Sequence, residues 1–400
     1  MIKISMNNEK EIKDKHVKYF DTVVKKKFNE IQKYCINKDI KRFFDFFTNE
    51  NWKRICIGNL SNLDEVINQI NKSYNEKKEI RMIDENECKE IEGIIDKYKK
   101  SIEEDKTRCN KKQRYEEWIV LLENIKSVSS KNLNLDIFAD NEEAFSNKSK
   151  IKEKIKSLKK MFTTKTLEEL LNDIFNYDSF SKDGDWDRHK IIYMMGIEVC
   201  PYCNRQYISN YNNKTQKTTA DLDHFYCKTN YPYLALSLYN FIPSCSICNS
   251  RFKNKKDFYK NEHIYPFDQK YHSDNMIFET KFKTGEDKID INYLLGESSE
   301  FDTDIIINDK NYESKIKNSI ETFKLRELYS AHKNYIREII FKANVYNKTN
   351  TIELKNIEGL FKDENEIKNL IFGSCLDGED LDKRPLSKLT RDICKEFGIM

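Results

Sequence analysis

Proline and glycine are both rare in this chain, at five and ten of 400 residues. So few chain-breaking residues fit a protein built largely from long helices. No apolar run approaches the roughly 20 residues that a membrane-crossing helix needs, so no membrane partner is expected. The stretch Met1 to Phe20 is charged throughout, so no signal peptide is expected and the cytoplasm is the expected compartment. There is no Gly-x-x-x-x-Gly-Lys-Ser/Thr loop, which argues against a P-loop ATPase. No internal repeat and no low-complexity tract stands out beyond a general richness in Lys, Asn and Ile. Charge of one sign is also lacking, since the net charge is only +3. Overall charge therefore does not announce a polyanionic partner.

The 400 residues suffice for two or three packed units. Residues 1–190 read as a mainly helical region. Val17, Phe20, Val24, Phe28, Ile31 and Cys35 recur at three- and four-residue spacing and line one helical face. Thr166, with Glu169 three residues later and then Leu170, Leu171, Ile174 and Phe175, predicts a capping box opening an amphipathic helix. The charged stretch from Asn141 to Lys154 reads as a loop or joint, and Lys182 to Asp187 as a turn. Residues 191–270 change to short strands, turns and one helix. In 271–400, Ile277 to Phe282 and Lys288 to Tyr293 predict a hairpin around Thr284-Gly285. Ile305 to Ile307 reads as an added edge strand, and helix returns from Tyr312 onward. The expected fold class is α+β.

Eleven cysteines are an odd number for a disulfide framework, and the expected compartment disfavours one. Cys35, Cys56, Cys88, Cys109, Cys375 and Cys394 stand alone and read as small core residues. Five others cluster, and four of them form two pairs, Cys200-Pro-Tyr-Cys203 and Cys245-Ser-Ile-Cys248. Each tight turn points two thiolates at one ion, and two turns complete the tetrahedral sulfur set preferred by structural zinc. A redox dithiol would open a helix in a thioredoxin-like unit, and neither pair has that context. Cys227 reads as a packing residue.

Between and after the pairs lie Asp221-Leu-Asp223-His224, Asn240, and Asn249-Ser-Arg251-Phe-Lys253. Between Cys200 and Lys260 the local charge balance is +6, against −3 for the rest of the chain. Phosphodiester hydrolysis needs a base that titrates near neutrality, which suits histidine. It also needs a cation held by hard oxygen ligands that leave its coordination sphere open. His224 supplies such a base, and Asp223 and Asn249 supply two oxygen ligands. Asp221, two residues before Asp223, shares its side of a strand and is a further oxygen donor. Alternatively, each residue is structural: a lone histidine usually is, Asn240 could cap a turn, and the basic run could be a solvated helix face. His263, His16, His189, His272 and His332 read as structural.

The pattern Asp223-His224, Asn240 and Cys245-x-x-Cys248-Asn249 followed by Lys253 resembles the HNH motif of the ββα-metal (His-Me finger) nucleases, with zinc knuckles similar to the four-cysteine subgroup. The resemblance covers about 60 residues. It implies a first strand with Asp-His, a second strand carrying the central Asn, and a helix carrying the last ligand. It further implies Asp223 and Asn249 as ligands of catalytic Mg²⁺ or Mn²⁺, His224 as general base and Asn240 as the brace that orients it. Zinc would be structural, Arg251 and Lys253 would contact substrate phosphates, and the products would carry 5′-phosphate and 3′-hydroxyl ends. Asn249 stands where many relatives have His, and Cys227 where many have Pro. Large helical flanks around such a core resemble effectors of bacterial anti-phage defence that work with an ATPase or other sensor subunit. DNA is the favoured substrate over RNA. The alternatives are a zinc-knuckle module that binds nucleic acid without cutting and a zinc-stabilised scaffold with no nucleic-acid contact.

Overall fold

The structure is a computed structural model that describes residues 1–104, 111–128, 135, 138, 142–181, 184–212, 217–283, 290–346, 361, 363–374, 376 and 380–399. It mixes helix and strand, with helix predominant. The described residues fall into two compact units. One comprises Val17–Tyr177 with Pro232–Leu234, and the other Met1–His16, Asp178–Tyr231 and Ala235–Met400. Among the described residues, no helix is long and apolar enough to cross a membrane.

Among its described residues, the first of these units is built of helices, with one isolated β-bridge between Arg81 and Thr166. The apolar face expected near its start forms: Phe20, Val24 and Phe28 are buried. The helical run there contains a π-turn, Phe20–Val24, followed by the helix Lys25–Lys33. Phe28 and Phe47 each lie about 5 Å from the Trp52 ring, at 5.1 Å in both cases. A second core surrounds Trp118, whose indole N–H donates to the Phe138 carbonyl at 2.9 Å. The capping box is present as written. Thr166 Oγ1 accepts the Glu169 N–H at 3.2 Å, and Glu169 Oε2 accepts the Thr166 N–H at 2.8 Å. The expected joint at Asn141 to Lys154 is instead ordered structure. A 3₁₀ turn, Glu142–Phe145, precedes the helix Lys148–Met161, capped by Asn147. Its charges lie on an exposed face, while Ile151, Ile155 and Leu158 are buried beneath.

Among its described residues, the other unit holds three two-stranded antiparallel sheets: β1 (Asn210–Asn212) with β2 (Lys217–Thr218), β3 (Asp221–His224) with β4 (Phe241–Ser244), and β5 (Met276–Phe282) with β6 (Phe301–Ile307). The expected hairpin is corrected here. Ile277 to Phe282 does form a strand, but its partner is Phe301–Ile307, with Phe282 opposite Phe301 and Ile277 opposite Ile306. Asn292–Leu295 is a 3₁₀ turn ended by Gly296, at φ +73°. The expected Thr284-Gly285 turn, with Lys288 and Ile289 of the expected second strand, lies outside the described residues. In the β5–β6 pairing Phe301 and Ile305 are buried on the same side of the sheet as Met276 and Phe278, as the strand register requires. The expected turn before residue 188 ends in Asp187, which caps the helix Arg188–Met195 through the His189 and Lys190 amides. The helices Glu313–Thr322, Leu325–Ser330, Lys333–Val345, Glu364–Phe372 and Ser387–Glu396 follow. The last packs on β5, where Asp392 Oδ2 accepts the Phe278 N–H at 2.9 Å and pairs with the equally buried Lys388.

Among the lone cysteines, Cys56, Cys88 and Cys394 are buried and Cys35 is half-buried, while Cys109 and Cys375 lie outside the described residues.

Candidate metal centre and adjoining polar site

The first knuckle is a small hairpin. Val199 bridges Tyr207, the Cys200 N–H donates to the Gln206 carbonyl at 3.0 Å, and the Asn204 N–H donates to the Cys200 carbonyl at 2.7 Å. Asn204 turns the chain at φ +49°, a left-handed conformation that asparagine tolerates better than most residues. Its buried carboxamide is tied on both sides: Nδ2 donates to the Leu381 carbonyl and Oδ1 accepts the Lys388 N–H, each at 2.9 Å. Tyr329 Oη donates to the Cys203 carbonyl at 2.6 Å. The C-terminal helices therefore brace this knuckle. The second knuckle is where β4 runs into the short helix Ile247–Lys253.

The knuckles bring Cys200, Cys203, Cys245 and Cys248 together, all buried, with their sulfurs within 4.8 Å of one another. Cys203 and Cys245 are 4.0 Å apart, sulfur to sulfur. Tetrahedral zinc with bonds of about 2.3 Å would set its sulfurs roughly 3.8 Å apart. The electrostatics point the same way. Burial pushes the Cys200 thiol up, whereas sulfur hydrogen bonds from the other three push Cys245 down. Four buried sulfurs cannot all ionise beside one another, but a dication at their centre lets them. This zinc-knuckle-like cluster could hold a structural metal such as zinc.

β3 and β4 pair Asp221 with Ser244, Leu222 with Pro243, Asp223 with Ile242 and His224 with Phe241. Strand alternation puts Asp221 and Asp223 on one face and His224 on the other. His224 packs edge-on against Phe241, with ring centroids 5.4 Å apart. Its Nε2 lies 2.9 Å from the Ala235 carbonyl. A carbonyl only accepts, so Nε2 carries the proton and Nδ1 the lone pair. Burial pushes the imidazole down to about 4, so it is neutral at pH 7.

Asn240 is fully buried at the end of a 3₁₀ turn, Leu238–Asn240, one residue before β4 rather than within it. Its Oδ1 accepts the Tyr226 N–H at 2.7 Å and its Nδ2 donates to the Tyr226 carbonyl at 3.0 Å. The Phe225 N–H donates to the Asn240 carbonyl at 2.8 Å. The loop leaving His224 is thus clamped by Asn240.

Asp223 and Lys253 are placed unexpectedly. Lys253, expected to contact substrate phosphates, is instead buried with its Nζ 2.9 Å from Asp223 Oδ1 and 2.5 Å from the His224 carbonyl. Asp223 Oδ2 accepts from Tyr202 Oη at 2.6 Å. Burial is the main reason that the Tyr202 phenol is held well above its usual range, so it stays a donor. The helix Ile247–Lys253 is a π-helix, closed by the Asn254 N–H on the Asn249 carbonyl. Its wider turn alters which residues face inward. Arg251, Lys255 and Lys256 are exposed. Asn249 is half-buried and donates from Nδ2 to Asp221 Oδ2 at 3.1 Å.

His16 and His263 serve as core residues. His16 Nδ1 accepts from the Trp186 indole and its Nε2 meets the Leu236 carbonyl. His263 stacks on Phe258 and meets Thr322. Cys227 is buried. Sequence reading missed Tyr202, although its place inside the first Cys-x-x-Cys pair marked it as close to the metal. It also missed the Ala235 carbonyl, a backbone group with no sequence signal. Family models, curated proteins and solved structures were all compared with the chain, and none matches it.

Proposed function

We propose that this protein is a metal-dependent endonuclease of the HNH type that hydrolyses nucleic-acid phosphodiester bonds, in DNA in preference to RNA. The observation that carries this reading is His224: neutral at pH 7, fixed with its proton on Nε2, and followed by a loop that Asn240 clamps. A neutral imidazole with its lone pair on Nδ1 is the form a general base requires. In the proposed step, water attacks phosphorus, its proton passes to His224 Nδ1, the bond from phosphorus to the 3′ oxygen breaks, and the departing oxygen takes a proton from solvent water to become the 3′ hydroxyl. Exposed Arg251, Lys255 and Lys256 follow Asn249 and would steer the phosphate backbone. Zinc on the four cysteines would hold β4 and its helix beside the first knuckle.

Mg²⁺ or Mn²⁺ would supply neutralisation of the charge growing on the phosphate. The donor pair Asp223 and Asn249 does not fit this ion as placed. Both oxygens of Asp223 are already engaged by Tyr202 and Lys253, and Asn249 is bonded to Asp221 instead. No step is assigned to Asp223 as a ligand.

Plasmid nicking by wild type and His224→Ala, with Mg²⁺, with Mn²⁺ and with EDTA, tests the proposal. Metal-dependent conversion of supercoiled DNA by wild type alone is the expected result. Equal cutting by both proteins would remove His224 as the base. Salt-dependent duplex binding without cutting of DNA or RNA would favour a binding module. We further propose a role as an anti-phage effector acting with an ATPase or other sensor subunit, by analogy with nucleases that have large helical flanks. Purification without a partner, together with unchanged phage plating on cells expressing the protein, would count against it.

A further inference from the structure

Resting on the nuclease reading, we infer that the divalent cation is held by Asp221 and Asn249 beside Ser244, and that Asp223 is a positioning residue bound to Lys253. Three observations on one face of the β3–β4 sheet lead there. Asp221 and Asn249 are half-buried and share a single hydrogen bond, from Asn249 Nδ2 to Asp221 Oδ2. Among the described residues, that bond leaves Asp221 Oδ1 and Asn249 Oδ1 without a donor. These are two hard oxygens on half-buried side chains that touch one another, a donor set with which Mg²⁺ would keep several waters while touching few protein groups.

Ser244 is the independent observation. Its hydroxyl is fully buried, and no described residue hydrogen-bonds to it. It stands directly opposite Asp221 in the ladder, and such cross-strand pairs project to the same side with Cβ atoms about 5 Å apart. A buried polar atom without a partner needs an explanation, and an ion or its bound water is one. The Ser244 side chain leaves the sheet on the face that carries Asp221.

Asp223 is excluded by charge as well as by geometry. The Lys253 ammonium already neutralises it inside the protein, and Tyr202 holds its second oxygen. A dication placed there would have to expel a buried lysine or sit beside its ammonium. The lysine has another task, because it also donates to the His224 carbonyl. The Asp223–Lys253 pair therefore fixes the backbone at the proposed base.

The test is Mn²⁺ binding, titrated by the loss of the free-ion electron paramagnetic resonance signal, on zinc-loaded full-length protein. Wild type, Asp221→Asn, Asn249→Ala and the double variant Asp223→Asn/Lys253→Met are compared. Circular dichroism and zinc content report the fold. The double variant is used because Asp223→Asn alone strands a buried ammonium. Asp221→Asn should weaken Mn²⁺ at least about tenfold, while the double variant should stay within about threefold of wild type. The His224 ring nitrogens in a histidine-labelled sample should report one tautomer in wild type and a tautomer mixture in the double variant. Wild-type affinity in Asp221→Asn, loss of Mn²⁺ from a folded double variant, or no Mn²⁺ binding by wild type would each overturn the inference. If the double variant does not fold, Asp221→Asn and Asn249→Ala decide alone. Mn²⁺ bound as expected but no cutting of any nucleic acid would sink the nuclease reading and leave this inference standing.

Discussion

Lys253 Nζ lies 2.9 Å from Asp223 Oδ1, and the two side chains are only 1% and 3% exposed. Removing one partner of such a pair leaves an uncompensated buried charge, whereas removing both does not. Lys253→Met should therefore cost about 3–5 kcal/mol of stability, and adding Asp223→Asn should recover most of that loss. Urea unfolding of the two single variants and the double variant measures the coupling. Additive losses would mean that the charges do not depend on one another.

The four sulfurs gathered at one point predict one tightly held zinc per chain. Elemental analysis of protein purified without added metal should find it, and Cys245→Ser should lose it. Zinc bound to four cysteines carries on the order of 10 kcal/mol coupled to folding, so Cys245→Ser should melt at a clearly lower temperature. Full wild-type stability in a zinc-free protein would refute the structural role.

Asn240 satisfies both backbone groups of Tyr226 inside the protein. Asn240→Ala strands a buried N–H and a buried carbonyl and should cost about 2 kcal/mol or more. Asn240→Asp keeps the acceptor for the Tyr226 N–H but loses the donor to its carbonyl. Both variants should also lower any cleavage rate more than they lower substrate affinity, because the loop they loosen follows His224. A stability change below about 0.5 kcal/mol, the level of ordinary surface substitutions, would show that the clamp is dispensable.

Burial holds the His16 imidazole down at about 4, against 6.5 for the ordinary side chain. Between those two values the unfolded chain takes up a proton that the folded chain refuses. The stability due to neutral His16 is thus complete above pH 6.5 and is lost as the pH falls towards 4. One such proton contributes a slope of up to about 1.4 kcal/mol per pH unit. His16→Gln should have a shallower dependence over that window than wild type, read as the difference between two series of urea titrations. Taking the difference cancels acid release of metal from the cysteines, which both proteins share. Parallel curves would show that His16 is not the responsible group.

The parts of this protein that were legible in its sequence are those fixed within a few residues. Thr166 and Glu169 form their capping box because both hydrogen bonds close within one helical turn. Phe20, Val24 and Phe28 share a buried face because helical spacing alone aligns them. The two Cys-x-x-Cys pairs were legible for a similar reason: each turn presents two sulfurs locally, and only their meeting needed the fold. The Asp221–His224 strand was legible too, as was the closeness of Asn240 to the loop after it.

What remained hidden depended on distant neighbours. The partner of β5 was misjudged because a nearer segment satisfied the turn rule, whereas β6 satisfied burial on the correct face. Lys253 reads in the sequence as a phosphate-contacting residue because lysine normally lies at the surface. The π-turn rotates it inward, and Asp223, thirty residues earlier in the chain, neutralises it there. Tyr202, Ser244 and the Ala235 carbonyl likewise gain meaning only from what lies opposite them. By itself, then, the sequence determined which residues could bind metal or move a proton, since those capacities belong to side-chain chemistry and local spacing. Only the tertiary structure decided which of them are already engaged, because burial and charge pairing are set by neighbours far away along the chain.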